Sequence, residues 1–395
     1  MKDADVNDSA QISWTENNQQ HTALWQSEAG VPPPKRVVVV DDTLTADSAY
    51  RLACEGTALL WRGDFQNARQ LLQALARRVD HKPKKASVIR KALNQTTPAV
   101  NPAQVFHLHR QAQSQRARTL GMLLLQFNAD YSLGLRRAPE VSAACREVWG
   151  DSKEPFVASL RELLGLVGAH EWRKKGVPIP ALDAKIYPHY GVFAPIRQEY
   201  IQLLAETPFP SDITAHTTAF DIGTGTGVLA ALLAQRGIQH VIGTDQDLRA
   251  VDCARDNIAR LGLQHQVQIL QCDLFPPVDP ADLIVCNPPW IPARPSSPLE
   301  RAIYDPDNQM LRSFLTGVSH YLKPNGEIWL IMSDFAEHLG LRTHEQWLSL
   351  IASAGLKVVD KRDAKPYHPR TSDTSDPLHA ARKAEIVSLW RMNRA

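Results

Sequence analysis

No run in this 395-residue chain approaches the roughly 18 consecutive apolar residues that a membrane-crossing helix needs; the strongest candidate, 120–125, is six residues long. The N-terminus has no apolar core behind a basic head. Asp3, Asp5, Asp8 and Glu16 argue against both a secretory signal and an organelle transit peptide. Cysteine is scarce. Cys54, Cys145, Cys253, Cys272 and Cys286 are an odd number, widely spaced, with no Cys-x-x-Cys pair. That excludes a disulfide framework and a zinc ribbon, and reads as reduced thiols in a cytoplasmic protein. His170-Glu171 has no second histidine at metalloprotease spacing, so no metal site is expected. Net charge is also small, 44 basic against 42 acidic residues or +2, which by itself points to no polyanionic partner. Hydrophobic residues at 44% and charged residues at 22% exclude wholesale disorder, and the length suggests two or three domains.

What is present falls into three stretches. Residues 1–34 are polar, rich in Asn, Gln and Asp, and close on Pro32-Pro33-Pro34, which reads as a disordered tail with a stiff spacer. Residues 35–180 read as a mainly helical N-terminal domain suited to substrate recognition. Within it 37–40 is a short β-branched run. Leu52, Leu59, Leu60, Phe65, Leu71, Leu72 and Leu75 recur at helical spacing, with Gly63 as a break, and helical patterns return at 141–149 and 156–167. Gly176-Val177-Pro178-Ile179-Pro180 reads as a linker. From 181 to 395 strands and helices alternate, the grammar of an α/β fold.

The small total charge hides an asymmetry. Between Arg62 and Arg137 fourteen basic residues face three acids, a local +11, sharpest at Lys82-Pro83-Lys84-Lys85 and Arg90-Lys91. Two readings stand side by side: an electrostatic footprint for RNA or the ribosome, or a solvated helix face with a basic loop. No aromatic stacking pattern accompanies the charge.

The chemistry lies in the last stretch. A short strand at 218–222 runs into Asp221-Ile222-Gly223-Thr224-Gly225-Thr226-Gly227, and a helix follows at 228–235. A strand, a glycine turn and a helix N-terminus hold nucleotide-like cofactors in doubly wound sheets. The next strand, 240–244, ends in Asp245, an acid placed for ribose hydroxyls. A third strand, 267–270, leads to Asp273. Each acid alone could be a cap or loop residue; three after successive strands favour a cofactor. A fourth strand, 282–286, opens into Asn287-Pro288-Pro289-Trp290. Eight prolines lie between 276 and 298, so the pair could merely break a strand, but it falls at a strand's C-terminal end, where such sheets bind ligands.

The acid-first loop Asp-x-Gly-x-Gly-x-Gly resembles the first motif of class I S-adenosylmethionine-dependent methyltransferases. Asn287-Pro288-Pro289-Trp290 resembles the (Asn/Asp)-Pro-Pro-aromatic signature of those that modify planar nitrogens, the HemK/PrmC-like, methyltransferase small domain group. Residues 185–204, with Tyr187, Tyr190 and Phe193, resemble the segment that covers the cofactor and shapes the acceptor pocket. The resemblance spans about 185–395. It implies a seven-stranded, mostly parallel Rossmann-like sheet with the last strand antiparallel. It implies S-adenosyl-L-methionine as cofactor, with Asp221, Gly223, Gly225, Gly227, Asp245, Asp273 and Asn287 around it. Asn287, Pro288, Pro289 and Trp290 would form the catalytic motif. An amide or aryl amino nitrogen is a poor nucleophile because its lone pair is delocalised. Hydrogen bonds from its NH2 to the Asn287 oxygen and the Pro288 carbonyl would localise that pair and aim it at the methyl group. Trp290 could stack on the planar acceptor.

The sequence Asn-Pro-Pro-Trp-Ile is similar to the Asn-Pro-Pro-Tyr-Ile of HemK-like enzymes, so a protein glutamine side chain, as in a release factor, is the favoured acceptor. Trp in place of Tyr and a long N-terminal region depart from that pattern. The alternative is an exocyclic base amino group in ribosomal or other RNA, which the basic stretch favours. Two further readings are a nucleotide-dependent oxidoreductase, which leaves the Asn-Pro-Pro motif without a role, and a non-catalytic RNA- or ribosome-binding protein with a retired methyltransferase domain.

Overall fold

The computed structural model describes residues 10–80, 101–214, 216–367 and 372–395. The chain divides into two units, one holding the residues up to 170 without 101–107, the other 101–107 with 171–395. Among the described residues no helix is long and apolar enough to cross a membrane.

The first unit is built on a six-stranded sheet. Its elements are β1 (Gln11–Glu16), β2 (Gln19–Trp25), β3 (Arg36–Val40), α1 (Ala46–Cys54), β4 (Thr57–Trp61), α2 (Phe65–Asp80), α3 (Pro102–Leu120, whose first turn counts with the second unit), β5 (Leu123–Phe127), α4 (Ser142–Trp149) and β6 (Phe156–Ser159). The order across the sheet is β1-β2-β6-β5-β4-β3, with β3, β4 and β5 parallel. A mainly helical N-terminal domain is therefore not what forms. The reason is that β4 and β6 are buried along their whole length. A strand covered on both faces reads as a continuous apolar run, which periodicity cannot separate from a helix.

The expected disordered tail is also corrected for residues 10–34. Asn17 and Asn18, both at positive φ, turn β1 back on β2. In β1 the polar Gln11, Ser13 and Thr15 alternate with Ile12 and Trp14, and the latter two are buried against Leu60, Leu124 and Val157. The polar composition belongs to the exposed face of a hairpin.

α5 (Leu160–Lys175) leads to β7 (Val177–Ile179), which pairs with β8 (Ala184–Ile186) as a two-stranded antiparallel ribbon. The 176–180 segment expected as a linker thus contains a short strand. Its Val177 and Ile179 side chains are buried, while Pro178 between them faces out.

The rest of the second unit comprises α6 (Glu199–Glu206), β9 (Thr218–Ile222), α7 (Val228–Gln235), β10 (His240–Asp245), α8 (Leu248–Arg260), β11 (Val267–Gln271), β12 (Ala281–Cys286), α9 (Gln309–Tyr321), β13 (Leu322–Ser333), α10 (Phe335–His338), α11 (His344–Ser353), β14 (Leu356–Ala364), α12 (His379–Ala384) and β15 (Val387–Arg394). The seven strands order as β11-β10-β9-β12-β13-β15-β14. All neighbours are parallel except that β15 runs antiparallel to β13 and β14. This is the methyltransferase-like α/β sheet that the resemblance implies. One face packs Leu229, Leu233 and Val251 from α7 and α8, the other Leu311, Phe314 and Trp347 from α9 and α11. The registers place Ile222, Thr244, Cys286 and Leu330 level across four parallel strands. The loops that carry the motifs therefore leave the sheet side by side.

Candidate active site

The first wall of the site is the turn from β9 into α7. Asp221 is the penultimate residue of β9 and is only 1% exposed. Its Oδ2 accepts from Thr224 Oγ1 at 2.6 Å and from the Ala230 N–H at 3.0 Å. Its Oδ1 is buried with no partner among the described residues. Burial lifts the Asp221 pKa to about 6. Gly223, Gly225 and Gly227 all have positive φ. At Gly227 the constraint is double, because φ is +80° and a Cβ would meet Ala254 of α8 at 3.2 Å. The loop is tied to the next strand by the Thr224 N–H, which donates to the Thr244 carbonyl at 2.8 Å.

Asp245 ends β10. Its Oδ2 accepts from the Gly225 N–H at 3.1 Å and its Oδ1 from the Asp247 N–H at 3.0 Å. Burial raises its pKa. Asp273 follows β11 and is exposed, next to Leu274, which has a positive φ of 60°. The Cys272 N–H donates to the Asp245 carbonyl at 3.1 Å, so the loops bearing Asp245 and Asp273 are stitched together. The three acids and the glycine turn line one edge of the sheet. Asp221 braces the glycine turn from inside, through Thr224 and Ala230.

The segment before β9 folds over α8. Asn257, fully buried on α8, accepts the Tyr187 N–H at 2.8 Å and donates to the Thr226 carbonyl at 3.1 Å. Tyr187 lies under the Arg260 guanidinium and Tyr190 under that of Arg249. Asn257 thus couples this cover to the glycine loop.

Asn287-Pro288-Pro289-Trp290 leaves β12 next to Gly223, because Cys286 pairs in register with Ile222. The Trp290 indole N–H donates to Asn287 Oδ1 at 3.0 Å and to the Ile331 carbonyl at 3.2 Å. The Arg197 guanidinium carbon sits 5.0 Å from the Trp290 ring centroid. One ring face is taken by a cation and the Trp290 N–H is engaged inward, so Trp290 makes a bracing contact within the motif. Arg197, Ser333 and Glu385 around this motif carry no local signature in the sequence. Arg197 and Glu385 meet across 188 residues.

The basic stretch is less bare than its sum implies. Arg62 pairs with Glu16, Arg78 with Asp47, Arg116 with Asp80, Arg136 with Asp42 and Arg137 with Asp64. Glu16, Asp42 and Asp47 lie outside the 62–137 window. The Lys82–Lys91 cluster lies outside the described residues.

Residues 184–344 match the family described as Methyltransferase small domain. A ribosomal protein L11 methyltransferase of Clostridium perfringens is 42% identical over 76 residues, covering 19% of this chain and 24% of that protein. A tRNA1(Val) (adenine(37)-N6)-methyltransferase of Bacteroides thetaiotaomicron is 29% identical over 37% of this chain and 64% of its own length. A release factor glutamine methyltransferase of Cereibacter sphaeroides is 31% identical over 36% of this chain and 53% of its own length. The chain therefore spans between a quarter and two thirds of these relatives. The matched segment is similar to the methyltransferase domains of these relatives.

Proposed function

We propose that this protein is an S-adenosylmethionine-dependent N-methyltransferase acting on a planar nitrogen, with a protein glutamine side chain as the favoured acceptor. The observation that carries the reading is the placement of Asn287-Pro288-Pro289-Trp290 level with the glycine loop at the C-terminal edge of the sheet. When bound, the cofactor supplies an electrophilic methyl group on a sulfonium. Gly223, Gly225 and Gly227 would allow the backbone to approach it closely, Asp245 would hold its ribose and Asp273 its adenine, while buried Asp221 would brace the loop through Thr224 and Ala230.

Asn287 Oδ1 and the Pro288 carbonyl accept the two N–H groups of the acceptor. Proline at 288 fixes φ and brings no competing donor of its own. The lone pair so localised points at the methyl group, which is catalysis by orientation and electrostatics. No residue with a tuned pKa is needed as base, since the nitrogen proton becomes acidic only as the new bond forms.

The release factor glutamine methyltransferases among the relatives support the glutamine acceptor. A second reading, a base amino group in RNA, is favoured by the tRNA adenine methyltransferase, which is matched over a larger share of its length. Incubating the full chain with radiolabelled S-adenosylmethionine and a fractionated lysate tests both. Label in protein, hydrolysing to N5-methylglutamine, supports the first reading; label in RNA replaces it with the second; no label in either, with active cofactor, overturns the enzyme and supports a retired domain.

A further inference from the structure

Around Asn287 lies a chain of contacts that the methyl-transfer scheme leaves without a role. Arg197, with a side chain 20% exposed, donates to Glu199 at 2.5 Å and to Glu385 at 3.1 Å. Glu385 is 2% exposed, and its Oε1 also accepts from Ser333 Oγ at 2.7 Å. Ser333 Oγ in turn accepts the Phe335 N–H at 3.0 Å, which anchors the carboxylate to the end of β13. Two acids thus hold one guanidinium in place over the Trp290 ring, and the Trp290 N–H holds Asn287 Oδ1.

The chemistry of each link is specific. A side-chain carboxamide can turn by half a rotation and exchange its oxygen for its NH2 at almost no steric cost. An indole N–H is a donor and never an acceptor, so it pairs with the oxygen and repels the flipped form. A tyrosine hydroxyl at the same position donates or accepts and makes no such choice. A cation over the indole face draws electron density from the ring and strengthens the N–H as a donor, and such a contact gains when it is partly desolvated.

We propose that Arg197, fixed by Glu199 and Glu385, is a positioning residue that acts through Trp290 to lock the Asn287 carboxamide with its oxygen toward the acceptor site. One lone pair of Asn287 Oδ1 takes the Trp290 N–H, and the other remains for the acceptor nitrogen. The inference rests on the proposed methyl transfer for its kinetic consequence, but its structural half stands on its own.

The full chain is tested with Arg197→Met, Arg197→Lys, Trp290→Phe and the Arg197→Met/Trp290→Phe double variant. The first readout needs no acceptor: the ¹H–¹⁵N indole signal of Trp290, identified as the one of nine lost in Trp290→Phe. Arg197→Met shifts it upfield, as expected of a weaker hydrogen bond, and Arg197→Lys restores most of the shift. The second readout is turnover on the labelled lysate fraction. Arg197→Met and Trp290→Phe each lower kcat about ten- to a hundred-fold with acceptor KM within about threefold, and the double variant is no worse than Trp290→Phe alone.

An unmoved indole signal in Arg197→Met overturns the proposal, as do additive losses or a loss confined to KM. Should Arg197→Met fail to fold, Glu385→Gln gives the same upfield shift, and its absence counts equally against the idea. A wild-type chain that transfers no methyl group removes the proposed function, while the indole signal still decides the brace.

Discussion

The Gly225 backbone N–H donates to Asp245 Oδ2 at 3.1 Å, so the glycine loop after β9 is tied to the acid that ends β10. Two segments proposed to hold the cofactor are thereby one mechanical piece. Asp245→Asn puts an NH2 against either the Gly225 or the Asp247 N–H, and one of the two bonds is lost. The expected outcome is a ten- to hundred-fold weaker affinity for S-adenosylhomocysteine by calorimetry, on the scale of about 1.4–2.8 kcal/mol, with an unchanged circular dichroism spectrum. Affinity equal to the wild type would show that Asp245 does not shape the cofactor site.

Asn287→Ala removes the oxygen proposed to face the acceptor and leaves the glycine loop intact. Methyl transfer falls at least about a hundred-fold, the range seen when one preorganised polar group is lost. Cofactor affinity stays within about threefold. Single-turnover rates and calorimetry on the same preparation separate the two, and undiminished turnover would refute the mechanism.

Asp221 connects the site to pH. Its folded pKa, lifted to about 6 by burial, lies above the ordinary aspartate value of 3.8. The folded state therefore holds this proton more tightly, and the carboxylate destabilises the fold progressively as pH rises from about 4 to about 6. The full effect is on the order of 3 kcal/mol. Asp221→Asn cannot ionise, so its denaturation free energy loses less between pH 4 and pH 7 than that of the wild type. Parallel pH profiles for the two proteins would contradict this.

In the first unit, Trp14 of β1 is 4% exposed against the sheet. Trp14→Ala should cost about 3–5 kcal/mol in that unit's unfolding transition. A change below about 1 kcal/mol in urea denaturation would mean that the hairpin is dispensable.

Reversing the charges of Lys84, Lys85, Arg90 and Lys91 tests the RNA reading. If that stretch contacts phosphates, affinity for bulk RNA falls and the slope of log Kd against log salt drops by up to about 0.7 per contact on a single strand. A filter-binding series in which neither changes leaves the stretch as solvated surface.

Much of the second unit was legible residue by residue. β9 and α7 lie where the pattern places them, because each is bounded by a local signal: an apolar run and a glycine turn. Asp221, Asp245, Asp273 and Asn287 could be placed in advance because each lies at or just beyond the C-terminal end of its strand. The first unit was not legible in the same way. Strands buried on both faces lose the alternation that identifies them, and a polar hairpin hides its two buried residues among exposed ones.

What the amino-acid order alone determined is the series of strand-loop signals and the place of the Asn-Pro-Pro-Trp motif at a strand end. Only the tertiary structure decided that Trp290 turns its N–H onto Asn287 and that Arg197 covers its ring. Those contacts join residues scattered from 197 to 385. They depend on β15 inserting antiparallel beside β13, a long-range pairing that brings Glu385 to Ser333 and that no local spacing encodes.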